Sequence, residues 1–176
     1  MTAADQIIAY RKAVAEDAEA LPAIERSAGS AFLSVPGLEW VAQDDVLSAE
    51  QQLHWIKQQM VWVAEVPDGQ LIGFLTAEQF DEEYHIWELA VHQDYQKRGI
   101  GRALIAALIE QARHQASAAI TLTTFRQLPF NEQFYVQLGF QTLPDNQLSA
   151  RLLSIFDLEK ANGLPLDRRC AMQLSL

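Results

Sequence analysis

The spacing of apolar residues along the chain predicts a mixed α/β fold. Alternating or β-branched runs predict strands, which fall at residues 7–12, 61–66, 71–80, 84–92, 119–125, 140–143 and 169–176. Helices are predicted at residues 16–26, 48–59, 100–115, 131–138 and 149–162, and apolar residues that repeat every four positions mark the one at 100–115. Along the chain, a hairpin of strands comes first, and strands that alternate with helices follow it. We therefore expect one mixed sheet with helices on its faces.

Short local signals mark the ends of these elements. Pro22 falls inside the first helical run, where it is expected to kink or divide the helix. Ser48 followed by Gln51 forms a capping box that opens the second helix. Residues 29–48 show no period and are interpreted as irregular. Gly139 stands where the fourth helix should end, as a C-cap glycine does.

The chain shows no internal repeat and no low-complexity linker, so we expect a single domain over residues 1–176. Apolar residues make up 49% and charged residues 20%, which is typical of globular proteins. The sequence has neither an apolar run of about 18 residues nor a basic, then apolar start. We therefore expect no membrane association, no secretory signal and a cytoplasmic location. The single cysteine, Cys170, cannot form an internal disulfide, and no metal site is expected.

The charge of the chain is strongly negative overall but unevenly distributed. The formal net charge is −10, which argues against nucleic acid as a partner because phosphate binding needs lysine and arginine. Residues 65–88 carry seven acids and neither lysine nor arginine. Residues 93–126 carry five basic residues and two acids. This positive segment on an acidic protein predicts an anionic ligand there, with a solvated helix face as the alternative.

The most informative segment reads E-L-A-V-H-Q-D-Y-Q-K-R-G-I-G-R-A-L-I at residues 88–105, where a strand turns into a helix. Gly99 and Gly101 let the backbone turn tightly and leave main-chain N–H groups facing outward. Three basic side chains flank the turn: Lys97, Arg98 and Arg102. With the helix dipole, these groups suit a pyrophosphate. The segment lacks the features of a P-loop or a dinucleotide fingerprint, so a plain glycine-containing turn stays the alternative.

The same segment resembles a known family. Q-x-x-G-x-G after a strand ending in L-A-V-H is similar to motif A of the GNAT superfamily of acetyl-CoA-dependent N-acetyltransferases, and P-F-N-E-Q-F-Y-V-Q-L-G-F at residues 129–140 is similar to its motif B. The resemblance covers about residues 60–145. It implies a mostly antiparallel sheet of six to seven strands with four or five helices. It also implies transfer of acetyl from acetyl-CoA, as cosubstrate, to a primary amine by direct attack in a ternary complex.

The resemblance also implies roles for individual residues. The residues expected around the coenzyme pyrophosphate are Gln96, Lys97, Arg98, Gly99, Ile100, Gly101 and Arg102. The main-chain groups expected to pair with the pantetheine arm belong to Leu89, Ala90 and Val91. Asn131 matches the motif-B asparagine that contacts the coenzyme. Tyr135 matches the tyrosine that protonates the departing thiolate, with a core aromatic as its alternative role.

A base or a water chain must deprotonate the amine before it attacks. His85 is the first candidate, because an imidazole titrates near neutrality and some members place a catalytic residue there. Glu88 is the second candidate, directly or through water. Strict alternation places these two on opposite faces of the strand. We expect His92 only to be hydrogen-bonded at the loop entrance. H-I-W-E-L-A-V-H is similar to the arylalkylamine branch but departs from it at Trp87.

Other functional classes stay open at this point. A covalent acyl-enzyme on Cys170 is disfavoured, because nothing nearby in the sequence would lower the pKa of its thiol. A non-catalytic acyl-CoA-binding or regulatory module would keep the phosphate-binding turn without turnover. The acceptor is a small-molecule amine or a peptide amine, and exposed sheet edges are compatible with a homodimer.

Overall fold

A computed structural model describes residues 7–176. The strands are β1 (Ala9–Lys12), β2 (Val61–Glu65), β3 (Leu71–Phe80), β4 (Glu83–Val91), β5 (Ala119–Phe125), β6 (Gln141–Thr142) and β7 (Arg169–Ser175). The α-helices are α1 (Leu21–Gly29), α2 (Ala49–Lys57), α3 (Ile100–His114), α4 (Glu132–Val136) and α5 (Ala150–Ala161). No helix within residues 7–176 combines the length and the apolar character needed to cross a bilayer.

The strands form one sheet in the order β1-β2-β3-β4-β5-β7-β6. β1 and β3 pair antiparallel with β2, and β5 and β6 pair antiparallel with β7. β4 and β5 pair in parallel, as expected for two strands joined through a helix. A mostly antiparallel sheet of seven strands with five α-helices over the described residues confirms the predicted fold class.

The helix signals read from the sequence are confirmed in most details. Pro22 lies in the first turn of α1, and a separate 3-10 helix, Ala15–Glu19, precedes it, so the proline divides the predicted helix. Ser48 caps α2 by accepting from the Gln51 N–H at 3.3 Å, while the Ser48 N–H donates to Gln51 Oε1 at 2.9 Å. The stretch predicted as irregular, residues 29–48, instead contains two 3-10 helices.

The described chain divides into two compact units. The first runs to Glu78 and resumes over Glu88–Gln111, and the second comprises Gln79–Trp87 and Ala112–Leu176. The expectation of a single domain stays a prediction. In the first unit, apolar residues of α1 and α2 pack against β2 and β3, including Leu21, Ile24, Ile56, Val63 and Phe74. In the second, Leu152 and Ile155 of α5 pack on Ala171 of β7.

Gly73, a glycine of the first unit, allows the start of α3 to lie close to β3. A Cβ at Gly73 of β3 would lie 3.0 Å from the Ala90 carbonyl oxygen and 3.4 Å from Ile100 Cγ2. Ile100, Leu104 and Leu108 form the buried stripe that the sequence predicts for α3. The absence of a side chain at residue 73 therefore lets the first turn of α3 lie directly against the strand before it.

Glu25 of α1 is a half-buried carboxyl beside a buried amide of α2. Gln52 Nε2 donates to Glu25 Oε2 at 3.4 Å, and Gln52 Oε1 has no hydrogen-bond partner among the described residues. Burial raises the pKa of Glu25 to about 7. The folded protein therefore keeps a proton on this carboxyl at pH values where an exposed glutamate has lost it.

Glu25→Gln should remove part of the pH dependence of stability. Because the pKa of Glu25 rises from 4.5 to about 7 on folding, its contribution is fully present below pH 4.5 and is lost as the pH rises through about 7. We expect this loss to lower the free energy of unfolding by about 1–2 kcal/mol after solvent screening. Chemical denaturation of wild type and variant between pH 5 and 8 measures the difference. Parallel curves for the two proteins would contradict the assignment.

Candidate active site

The segment that runs from the turn after β4 into the first turn of α3, residues 96–102, is the candidate phosphate loop. Its backbone enters the left-handed region twice, at Lys97 with φ +62° and at Gly99 with φ +82°. A Cβ added at Gly99 would meet no heavy atom within 4 Å. The surroundings of Gly99 are therefore open, and it is the backbone conformation that favours glycine at this position.

The main-chain amides of the phosphate loop are free to bind a ligand. The Ala103 N–H makes the first hydrogen bond of α3, to the Gly99 carbonyl oxygen at 3.0 Å. For the N–H groups of residues 97–102, no acceptor lies within hydrogen-bond distance anywhere in the described part of the chain. These unpaired donors lie at the positive end of the helix dipole, which is the arrangement that binds phosphates in proteins.

Side-chain hydrogen bonds fix the start of the phosphate loop. Gln96 Nε2 donates to the Val91 carbonyl oxygen at 3.0 Å, so this side chain fastens the loop to the end of β4. The Gln93 N–H donates to Ser27 Oγ at 3.0 Å. His92 Nδ1 accepts from the Asp94 N–H at 3.3 Å, in line with the modest role expected for it. Gln96 therefore acts on the shape of the loop.

Leu89, Ala90 and Val91 lead into the phosphate loop from β4. The parallel ladder between β4 and β5 ends at the pair of Ile86 with Leu122, so these three residues lie beyond its end. Ala90 is buried, whereas Leu89 and Val91 are half-buried. The first unit thus brings together the predicted pantetheine segment and the predicted pyrophosphate loop on one continuous stretch of chain.

Tyr135 lies in α4 of the second unit and is buried. Its ring makes edge contacts with Phe134, at 5.1 Å between centroids, and with Phe140, at 5.6 Å. The Phe140 N–H donates to the Tyr135 carbonyl oxygen at 3.1 Å, and Gly139, with φ +93°, allows the chain to turn back in this way. Two aromatic rings therefore hold the phenol ring in one orientation.

Asn131 precedes α4, and its side-chain amide makes a hydrogen bond through the nitrogen but not through the oxygen. Its Nδ2 donates to Thr124 Oγ1 of β5 at 2.9 Å. Its Oδ1 is buried and has no partner among the described residues. An orphaned buried acceptor is costly unless a ligand or water satisfies it. This fits a coenzyme contact, because pantetheine and diphosphate-linked groups carry donors that such an oxygen can accept.

His85 is fully buried in the second unit. Its Nδ1 lies 3.0 Å from Thr121 Oγ1, and its ring meets the edge of Trp87 at a centroid distance of 4.6 Å. Burial, and then the positive charge of Arg151, lower the pKa of His85 to about 3. The imidazole is therefore neutral, shielded from solvent and a weak proton acceptor, an environment that does not suit the general base proposed for it from the sequence.

Comparison with known proteins decides the family. Residues 30–140 match the model of the acetyltransferase (GNAT) family. The chain belongs to this family. An uncharacterized N-acetyltransferase, ycf52, from Gracilaria tenuistipitata var. liui is 39% identical over 77 residues, which are 43% of this chain and 40% of the relative. Its counterpart in Pyropia yezoensis is 36% identical over 80 residues, 44% of each chain. The chain therefore spans about two fifths of the length of these relatives.

A solved N-acetyltransferase structure shares the fold over nearly the whole chain. The PaiA N-acetyltransferase of Thermoplasma acidophilum, in complex with coenzyme A, gives a TM-score of 0.72 at 19% identity and covers 96% of this chain and 99% of that chain. At this level of identity the likeness concerns the fold.

Cys170 of this GNAT chain is buried in β7 and is not suited to carry an acyl group. Burial, followed by the charge of Glu132, raises the pKa of the Cys170 thiol to about 12. The nucleophilic thiolate is therefore scarce at neutral pH. Glu132 itself is half-buried; burial alone would raise its pKa, but hydrogen bonds from the Gln127 N–H and Thr142 Oγ1 together hold the pKa below its usual value.

Sequence reasoning about this GNAT chain missed the partners that define the environments of two predicted site residues. Thr121 and Arg151 surround His85, and Thr124 orients Asn131. The signal for the threonines was present in I-T-L-T-T-F, residues 120–125, where polar residues stand on both faces of a strand with buried neighbours. Arg151 carried no such local signal.

Proposed function

We propose that this chain transfers an acetyl group from acetyl-CoA to a primary amine by direct attack within a ternary complex. The observation that carries the proposal is the row of unpaired N–H groups at residues 97–102, flanked by basic side chains on an acidic protein. An anionic diphosphate satisfies those donors and the helix dipole together. The crystallisation of PaiA, a neighbour of the same fold, with coenzyme A supports this ligand.

Different groups of residues have separate tasks in this proposal. Acetyl-CoA supplies a thioester whose carbonyl the amine attacks and whose thiolate leaves. The phosphate loop binds the diphosphate, and the main-chain groups of Leu89–Val91 orient the pantetheine arm as an added strand. Asn131 accepts a hydrogen bond from the coenzyme through its orphaned Oδ1. Tyr135 donates its phenol proton to the departing sulfur.

For the proton of the incoming amine, we propose Glu88 acting through water. Glu88 is half-buried on β4, one residue before the pantetheine segment, whereas His85 is shielded and a poor base. A carboxylate can also hold the ammonium form of the acceptor before it loses its proton. The thiol of Cys170 takes no part, which leaves direct attack as the simplest route.

Glu88→Gln should lower kcat/KM for the amine about tenfold, since a glutamine can bind the water but cannot take its proton. His85→Asn should leave the acidic limb of the pH profile of kcat/KM where it is, because a group with a pKa of about 3 does not titrate in the working range. Steady-state rates of both variants between pH 5.5 and 9 give the comparison. Loss of the acidic limb in His85→Asn would return the role of base to the imidazole.

One observation favours a second function, an acyl-CoA-binding module without turnover. The first base candidate, His85, is buried, as it would be in a protein that keeps the coenzyme loop and has lost the chemistry. Calorimetry with acetyl-CoA, together with a thiol-release assay across an amine panel, separates the two functions. Binding with amine-dependent release of CoA supports the transferase. Binding without release for any amine supports the module, and the absence of binding excludes both.

A further inference from the structure

The short segment between β4 and the phosphate loop is held from two sides. The His92 N–H donates to the Ile72 carbonyl oxygen of β3 at 2.9 Å. The next N–H, that of Gln93, donates to Ser27 Oγ of α1 at 3.0 Å. All four residues belong to the first unit. The chain therefore leaves the sheet between a strand and a helix, and each of these elements binds one of two consecutive amides.

Ser27 lies on a helix that is anchored in the core. Leu21 and Ile24 of α1 are buried in the core cluster formed with β2 and β3. Ser27 follows Ile24 by three residues, so the two side chains are neighbours on one face of the helix. Ser30 Oγ lies 2.7 Å from the Ser27 carbonyl oxygen and 3.0 Å from Gln93 Oε1, and shares its proton between them. The region around α1 thus contacts Gln93 through both its main chain and its side chain.

The contact at Gln93 precedes the amides that are left for a ligand. The Asp94 and Tyr95 N–H groups bond back to His92. The Gln96 N–H donates to the Gln93 carbonyl oxygen at 3.4 Å. Among the described residues, the row of unpaired donors starts immediately after Gln96. The orientation of the Gln93 peptide is therefore passed through one hydrogen bond to the start of that row.

A basic side chain of the phosphate loop contacts the same segment. Gln93–Tyr95 forms a 3-10 helix, and the guanidinium carbon of Arg98 lies 5.2 Å from the centre of the Tyr95 ring. A cation over an aromatic face at this distance is attracted to the ring. A rotation of the 3-10 helix would move Tyr95 and change this contact. The segment therefore affects both the main-chain donors and the positive charge that the loop presents to a diphosphate.

We propose that Ser27 is a positioning residue for the coenzyme diphosphate: its hydroxyl oxygen fixes the Gln93 amide and, through it, the orientation of the phosphate loop. The inference rests on the proposed function, because it takes the diphosphate of acetyl-CoA as the ligand of this loop. Ser27 acts through the backbone and has no part in the transfer of the acetyl group. Coupling between two sites is reciprocal, so coenzyme bound to the loop also stabilises the contact between Gln93 and α1.

Ser27→Ala should raise the dissociation constant of acetyl-CoA about three- to tenfold, the effect expected when one hydrogen bond that orients a binding loop is lost. Ser27→Thr keeps the hydroxyl oxygen and should restore most of the affinity. Ser34→Ala is the matched control, because Ser34 Oγ donates to the carbonyl oxygen of Ala31, three residues earlier, at 3.2 Å and lies outside the segment. Calorimetric titration with acetyl-CoA measures all three variants.

Three results of this titration would overturn the inference. The first is wild-type affinity in Ser27→Ala. The second is an equal loss in Ser34→Ala, which would trace the effect to a general weakening of the unit. The third is a loss in Ser27→Thr as large as that in Ser27→Ala, which would trace it to the packing of α1 rather than to the hydroxyl oxygen.

An acyl donor without the diphosphate separates positioning from general damage. S-acetylpantetheine carries the thioester and the pantetheine arm of acetyl-CoA but has no group for the phosphate loop. We expect Ser27→Ala to lower kcat/KM for acetyl-CoA about three- to tenfold, mainly through KM, and to keep kcat/KM for S-acetylpantetheine within about twofold of the wild type. A merely structural role would lower both values equally, and that outcome would refute the assignment.

Hydrogen exchange tests the reciprocal effect without turnover. Acetyl-CoA should slow exchange of the Gln93 amide at least about threefold in the wild type and Ser34→Ala, but not in Ser27→Ala. Equal slowing in all three proteins would overturn the inference. If no amine releases CoA while affinity and exchange depend on Ser27, the proposed transfer fails and this inference stands. If CoA is released while neither depends on Ser27, only this inference fails. If acetyl-CoA does not bind the wild type, both fail.

Discussion

Gly99→Val should raise the dissociation constant of acetyl-CoA by about 100-fold or more while leaving the chain folded. Gly99 has φ +82°, a conformation that a β-branched residue adopts only at a cost of about 1–3 kcal/mol. The surroundings of Gly99 are open, so the substitution causes no clash and the strain is relieved by rotation of the loop itself. That rotation turns the N–H groups of residues 97–102 away from a common point. Calorimetric titration with acetyl-CoA measures the loss.

Gly163→Val is the matched control for this experiment. Gly163 has φ +84°, and a Cβ there would also meet no heavy atom within 4 Å, so the two substitutions impose the same backbone strain. Gly163 follows the C-terminus of α5, outside the phosphate loop. We expect the two variants to lose similar thermal stability and only Gly99→Val to lose affinity. Wild-type affinity in Gly99→Val, or an equal loss in both, would remove the loop amides from coenzyme binding.

Tyr135→Phe should lower kcat by about 10- to 1,000-fold and change the affinity for acetyl-CoA less than about twofold. The substitution removes the phenol proton and keeps the ring that packs against Phe134 and Phe140. A thiolate is a tolerable leaving group, so the remaining rate reflects departure without a donor. Single-turnover release of CoA under saturating amine measures the chemical step directly.

Tyr84→Phe controls for the loss of a tyrosine hydroxyl from the same unit. Tyr84 is buried and donates to Gln79 Oε1 at 3.3 Å, with no predicted part in the chemistry. We expect its kcat to stay near that of the wild type. A wild-type rate in Tyr135→Phe would leave protonation of the sulfur to water and return Tyr135 to a packing role.

The elements that sequence reasoning predicted well are those specified by neighbouring residues. The capping box of α2 closes over three residues, and the buried stripe of α3 follows from spacing within one helix. The same holds for the turn at Gly99, whose conformation depends on the local chain. The sequence of residues 29–48 predicts no regular element, because the 3-10 helices there are too short to display a period.

The environment of His85 lay beyond the sequence for a physical reason. The expectation of a base rests on the ordinary pKa of an imidazole, whereas burial, and then the charge of Arg151, lower the pKa of His85. Thr121 and Arg151 belong to β5 and α5 and reach His85 only through tertiary packing. Local spacing can place a titratable residue on a strand face, but it cannot state how much water that face retains.

Because every peptide bond carries an N–H group, the proposed main-chain hydrogen bonds of the phosphate loop do not depend on side-chain identity; the basic side chains add positive charge to them. Most replacements at residues 97, 98 and 102 would therefore leave the hydrogen-bond donors in place, and only changes that reshape the backbone would remove them. Such a loop is robust to mutational drift. Under the proposed function, substitutions on the acceptor side could therefore change which amine is accepted while the main-chain hydrogen bonds to the acyl donor stay in place.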